Sequence, residues 1–137
     1  MLASNAVAAV LFAKDLRRVA PFYRAVMNAG LLDAGANHET LDCGGFHLVI
    51  HQIPGALANS IEIANPPVRR EATAIRLDFP VADINRARQH ARRLGGEVDD
   101  QPPPWAVDSG SIYLGFDPEG NVFGLLPASV VSVTLHE

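Results

Sequence analysis

Two periods of hydrophobic and polar positions run along this chain, and each occurs twice in the same order. An unbroken apolar run from Val7 to Ala13 reads as a buried strand. Asp15-Leu16 then opens a helical stripe of Leu16, Val19, Phe22, Tyr23 and Val26 that ends near Gly30. The pattern returns with Ala74 to Val81, Asp83-Ile84, and a stripe of Ile84, Ala87, Ala91 and Leu94 closed by Gly95-Gly96. In both halves an aspartate stands where its carboxylate can accept from the first free N–H groups of a helix. Pro21 conflicts with the first helix, since a proline inside a helix loses a backbone bond. It predicts a kink, or a start near Val19 that places Pro21 in the first turn.

Short strand patterns with turn residues between them follow each helix. In the first half these are Leu31 to Ala34, His38 to Cys43, the Gly44-Gly45 turn and Phe46 to Gln52. In the second they are Glu97 to Asp99, Ser111 to Phe116, the Asp117-Pro118 turn and Asn121 to Leu126. The unit is βαβββ, twice, and the fold class is α+β. The expected organisation is a single domain, with one module over about 5–53, a linker over 54–72, a second module over about 73–127 and a tail over 128–137. The linker contains Ile61-Glu62-Ile63 between Pro54-Gly55 and Pro66-Pro67, so it is either a connection with an extra edge strand or a flap. The tail is rich in β-branched residues suited to a sheet edge, its own or a partner's.

Composition narrows the function classes. A chain of 137 residues that is 48% hydrophobic and 19% charged can bury a real core. A net charge of -4 leaves no electrostatic footprint for nucleic acid or an anionic membrane. The cluster Arg86, Arg88, Arg92 and Arg93 reads as the solvated face of the second helix rather than a phosphate patch. A single cysteine, Cys43, excludes an intrachain disulfide and suits a reducing cytoplasm. The run from Ala6 to Ala13 falls far short of the roughly 20 residues of a membrane span.

Asp117-Pro118-Glu119-Gly120-Asn121, followed by Val122-Phe123-Gly124-Leu125-Leu126, joins a tight turn to a buried strand. With the capped strand-helix starts, it resembles the vicinal-oxygen-chelate superfamily of glyoxalases, extradiol dioxygenases and bleomycin- or fosfomycin-resistance proteins. The resemblance covers roughly residues 5 to 127. It implies a curved, mixed, mostly antiparallel sheet, with helices on the convex face and a ligand cavity on the concave one. In metal-dependent members each module supplies a ligand about seven residues before the capping aspartate and another four after the hairpin glycine. Those counts reach Ala8, Arg76, Val49 and Gly124, none of which can hold a divalent ion. The expectation is therefore no metal and no cofactor.

Other residues can furnish a binding site without one. In the family register, strand alternation places His47 and His51 on the cavity face with Val49. Four residues of strand part their backbones by ~13 Å, too far to share an ion. Arg76, at a vacated metal position, suits an anionic or carbonyl-bearing ligand, or an ion pair with Asp78. With Ile112, Leu114 and Phe116 assigned to the helix-packed face, Tyr113 and Gly115 are left to the cavity. Trp105, after three prolines, either packs in the core or walls the cavity. Asp99-Asp100 reads as a turn, because consecutive strand residues point to opposite faces.

Three readings follow: a metal-independent small-molecule binder, a lyase or dioxygenase with a displaced or metal-independent site, or a scaffold valued for its interface. The first is the one the vacated positions favour. The expected partners are a small molecule and a second copy of the chain in a homodimer.

Overall fold

The computed structural model describes residues 6–106 and 112–127. The first module runs β1 (Ala8–Ala13), α1 (Leu16–Val26), β2 (Gly30–Ala34), β3 (His38–Cys43) and β4 (Phe46–Gln52). A one-turn helix α2 (Gly55–Ala58) opens the connection to the second module. That module runs β5 (Leu77–Val81), α3 (Ile84–Arg93), β6 (Glu97–Val98), β7 (Tyr113–Phe116) and β8 (Val122–Pro127), with a 3-10 turn at Pro104–Ala106. The βαβββ unit is present twice. Asp15 caps α1 by accepting from Arg17 N at 3.1 Å, and Asp83 caps α3 by accepting from Arg86 N at 3.1 Å. Helix α1 starts at Leu16 with Pro21 inside it, not near Val19. Its cap and its buried stripe of Leu16, Val19, Ala20, Phe22, Tyr23 and Val26 offset the bond that Pro21 cannot make.

Each module forms its own four-stranded sheet, ordered β1-β4-β3-β2 and β5-β8-β7-β6. In each, the first strand lies parallel to the last and the other pairings are antiparallel. The continuous sheet implied by the resemblance is therefore interrupted: β1 and β5 both end their sheets. Pro80 lies within β5 and has no N–H for a further neighbour, which suits it to an edge. No strand forms at Ile61 to Ile63; the linker's one bridge joins Arg70 to Asn121. The tail, to which a sheet-edge pairing was assigned, lies outside the described residues.

The two modules share one apolar cluster. Leu41, Leu48 and Ile50 of the first sheet and Phe79, Phe123 and Leu125 of the second belong to it, with both helix faces. Helix α1 ties the halves together: Phe22 and Tyr23 lie 5.8 and 5.9 Å from the Phe123 ring, in edge-on geometry.

The Asp117 turn is a clasp between modules. Asp117 is fully buried and accepts from Tyr23 Oη at 2.7 Å, Glu119 N at 2.8 Å, Asn121 N at 3.0 Å and Asn121 Nδ2 at 2.9 Å. Glu119, also buried, accepts from Lys14 N at 2.9 Å and Asp15 N at 2.7 Å, just ahead of α1. Gly120 has φ +86, and a Cβ there would run into the carbonyl of Val68, so both conformation and space call for glycine.

Candidate functional site

The strand faces turned away from the helices carry the candidate site. On β4, Leu48 and Ile50 enter the core, so Val49 and His51 project to the opposite face, as do Val10 and Phe12 of the paired β1. His51 lies exposed between two rings, Phe12 at 6.1 Å and His38, stacked at 6.5 Å. Its Nδ1 is 2.9 Å from Gln52 O and donates to that carbonyl. His38 Nε2 lies 2.8 Å from Asp33 Oδ2. His47 is only 7% exposed, so it is not an open polar lining of this face. Phe12, 62% exposed, was missed in the sequence because it sits inside an apolar run. Its alternation with the core residues Leu11 and Ala13 was the available signal.

On the second module, Phe79, Phe123 and Leu125 enter the core, and Asp78, Gly124 and Leu126 take the other face. Arg76 joins them in an exposed setting, rather than the buried one expected of a guanidinium at a former metal position. Its Nε donates to Asp78 Oδ1 at 2.7 Å and its Nη2 to Oδ2 at 2.9 Å, a two-pronged pair. That hydrogen bond, ahead of the opposing effect of burial, raises the arginine pKa above its ordinary value. Trp105 is 66% exposed, so it is not a core residue; the Arg76 guanidinium lies 5.4 Å from its ring centre.

Tyr113 requires a correction. Its register partner is Leu125, a core residue, so it faces the helices with Gly115, while Leu114 and Phe116 take the other face with Gly124 and Val122. The cause is Phe123: its ring lies across Gly115, where a Cβ would stand 2.8 Å from Cζ. Only a glycine on the helix side admits that ring. Tyr113 packs under α3 instead, with the Arg88 guanidinium 5.3 Å from its ring centre. Arg88 is thus no solvated side chain; it also donates to Asn85 Oδ1 and Asp99 O. Asp99 and Asp100 are both engaged by arginines, Arg69 on the first and Arg88 and Arg92 on the second.

The residues at the family's metal positions do not fit a metal. Gly124 has no donor, and a side chain there would collide with Asp78 Oδ1 and stand 2.8 Å from Ile112 Cδ1. Asp78 brings a carboxylate to that place from a neighbouring strand, but Arg76 already neutralises it. Among the described residues, no group of three or more histidine, cysteine, aspartate or glutamate side chains is placed to hold an ion. Cys43 offers no alternative nucleophile: burial, then the charge of Asp42, pushes its thiol up to about 11.

Between the edges of β1 and β5, each without a further strand among the described residues, lies a cleft of about 480 Å3. Ala8 to Leu11 form one wall, Ile75, Leu77 and Phe79 the other, and Tyr23 and Phe123 lie among its lining residues. Ile75 and Leu77 line the cleft, whereas Arg76 and Asp78, at the alternate positions, take the other face of the same edge and are not among its lining residues. The structure brings Arg76 and Trp105 together and groups His51 with Phe12 and His38.

Solved structures share this architecture. The chain is similar to the fosfomycin resistance protein FosX of Listeria monocytogenes, with 17% identity, 92% of each chain covered and a TM-score of 0.61. It is similar to TioX of Micromonospora sp. ML1, with 21% identity, 90% of this chain and 98% of that one covered, and a TM-score of 0.57. A possible glyoxalase of Bacillus cereus aligns at 16% identity over 90% and 99% of the two chains, with a TM-score of 0.55. Among curated proteins, none matches the sequence closely enough to mark a relative. The sequence profile of the glyoxalase-like domain matches residues 8–126, which takes in both modules and the clasp between them. The chain therefore belongs to the glyoxalase-like domain family, within the vicinal-oxygen-chelate superfamily.

Proposed function

We propose that this protein binds a small molecule in the cleft between its modules, holds it without a metal and does not turn it over. One observation carries the reading: the place vacated by a side chain at Gly124 is filled by Asp78, pinned by Arg76. A fixed ion pair thus stands where a chelating carboxylate would be needed. The mainly apolar walls of the cleft suit a compact organic ligand, and Arg76, on the other face of the same edge, suits an anionic or carbonyl group that reaches round it. Fosfomycin resistance proteins, among the structural neighbours, are named for resistance to a small molecule. The protein acts as a homodimer in a reducing, cytoplasmic setting, with no role for nucleic acid or membrane.

Mass spectrometry under non-denaturing conditions tests the reading, because it reports metal, ligand and subunit count together. The expected species is a metal-free dimer, twice the 14.7 kDa chain mass, that gains one small molecule per chain from a thermal-shift hit. Arg76→Ala should weaken that hit more than tenfold, as loss of a charged hydrogen bond of about 1.5–3 kcal/mol implies. Conversion of the ligand to product by the wild type would replace this reading with that of a metal-independent lyase or dioxygenase.

A further inference from the structure

We propose that Asp78 is a built-in competitor for Arg76, and that the ligand it competes with carries a planar carboxylate. This inference rests on the binding function proposed above and names the chemistry its ligand presents. Both partners of the Arg76–Asp78 pair are partly open to solvent, with side chains 33% and 30% exposed. The pair occupies a slot with defined walls. Gly124 supplies the floor by having no side chain, Ile112 closes one side, and the Trp105 ring lies under the guanidinium.

The slot already displays the geometry it recognises, two carboxylate oxygens each taking one N–H of a planar fork. A ligand carboxylate reproduces those bonds when Asp78 swings out towards solvent, and an aromatic ring attached to it lies on the exposed indole. A phosphonate brings an additional oxygen and more charge. Against Ile112 that oxygen has no donor, so the slot selects against tetrahedral anions. The internal carboxylate lowers apparent affinity by the fraction of time it holds Arg76. Because exposed ion pairs are weak, that penalty is about fivefold.

Gly124 provides a second handle. The atoms nearest a Cβ at this position are Asp78 Oδ1, Ile112 Cδ1 and Asp78 Cγ, the last at 3.0 Å. Gly124→Ala therefore closes the carboxylate's place beside Arg76 to Asp78 and to a ligand alike.

Trp105 is the only tryptophan in the chain, so fluorescence excited selectively at tryptophan reports on this slot. Benzoate and phenylphosphonate, which share a ring and differ in the anion, are titrated against wild type, Asp78→Asn, Gly124→Ala and Arg76→Gln. Benzoate is expected to perturb Trp105 in the wild type, to bind about fivefold tighter in Asp78→Asn, and to be lost in Gly124→Ala and in Arg76→Gln. Phenylphosphonate is expected to bind more weakly than benzoate throughout. Equal benzoate affinity in wild type and Asp78→Asn, or binding retained in Arg76→Gln, overturns the proposal. If benzoate binds no variant while an uncharged thermal-shift hit fills the cleft, the carboxylate assignment falls and the binding function stands. If no small molecule binds the wild type or the variants, both fall.

Discussion

The hydroxyl of Tyr23, on the first module's helix, donates to Asp117 Oδ2 across 2.7 Å in the second module's last turn. It is a fully buried bond to a carboxylate that is also held by two backbone N–H groups and the Asn121 amide. Through it, the turn that marks the family in sequence serves to join the modules. Tyr23→Phe removes that bond and keeps the ring. It should cost about 1.5–3 kcal/mol, read as a lower urea midpoint at an unchanged slope. A midpoint equal to the wild type would show that the clasp contributes nothing.

Glu119 offers an independent probe of the same junction. Glu119→Ala leaves the part-buried N–H groups of Lys14 and Asp15 without their acceptor, at about 1 kcal/mol for each donor. Amide exchange at these two positions should accelerate before exchange in β4 does. Uniform acceleration across the chain would mean that the effect is global rather than at the clasp.

Alkali should destabilise the fold before it destroys any covalent bond. Burial, reinforced by Asp117 and Glu119, raises the Tyr23 pKa well above 10.0, and burial with Asp42 raises that of Cys43 from 9.0 to about 11. Both groups ionise more readily in the unfolded chain. Stability is therefore intact below pH 9, falls as the unfolded thiol and then the unfolded phenol ionise, and for Cys43 levels off near pH 11. Urea midpoints from pH 7 to 11 would show this decline, and Cys43→Ala should flatten its lower part. A pH-independent midpoint across that range would contradict the assignment.

Protein purified without chelators should carry no stoichiometric zinc, nickel, manganese or iron by elemental analysis. The basis is the set Ala8, Val49, Arg76 and Gly124 at the metal positions of the family. One ion per chain, released when His51 is mutated, would place the site on the first module's open face instead.

Local chemistry was legible in the sequence and side-chain facing was not. Asp15 and Asp83 announced two helices because capping is settled within a few residues, and Gly120 announced a turn because its φ of 86 admits little else. Tyr113 was assigned to the wrong face because Ile112, Leu114 and Phe116 look like a core set when read alone. What decides the matter is the Phe123 ring crossing Gly115, a contact between neighbouring strands that no local pattern encodes. The ion pair of Arg76 with Asp78 was an evident alternative from their spacing. Its exposure was not, since that depends on the gap between two sheets that the family resemblance implied were one.

Pro80 has a consequence for how crowded copies of this chain behave. A cleft bordered by two strands whose outer edges have no partner among the described residues would ordinarily invite a third strand from another molecule, and with it chain-to-chain polymerisation. A proline in the outer strand withholds the donor such a guest would need, so the opening stays free for small molecules. Pro80→Val should leave the folded monomer unit intact and shorten the lag before thioflavin-positive aggregates form on gentle heating. An unchanged lag would mean that some other feature guards the edge.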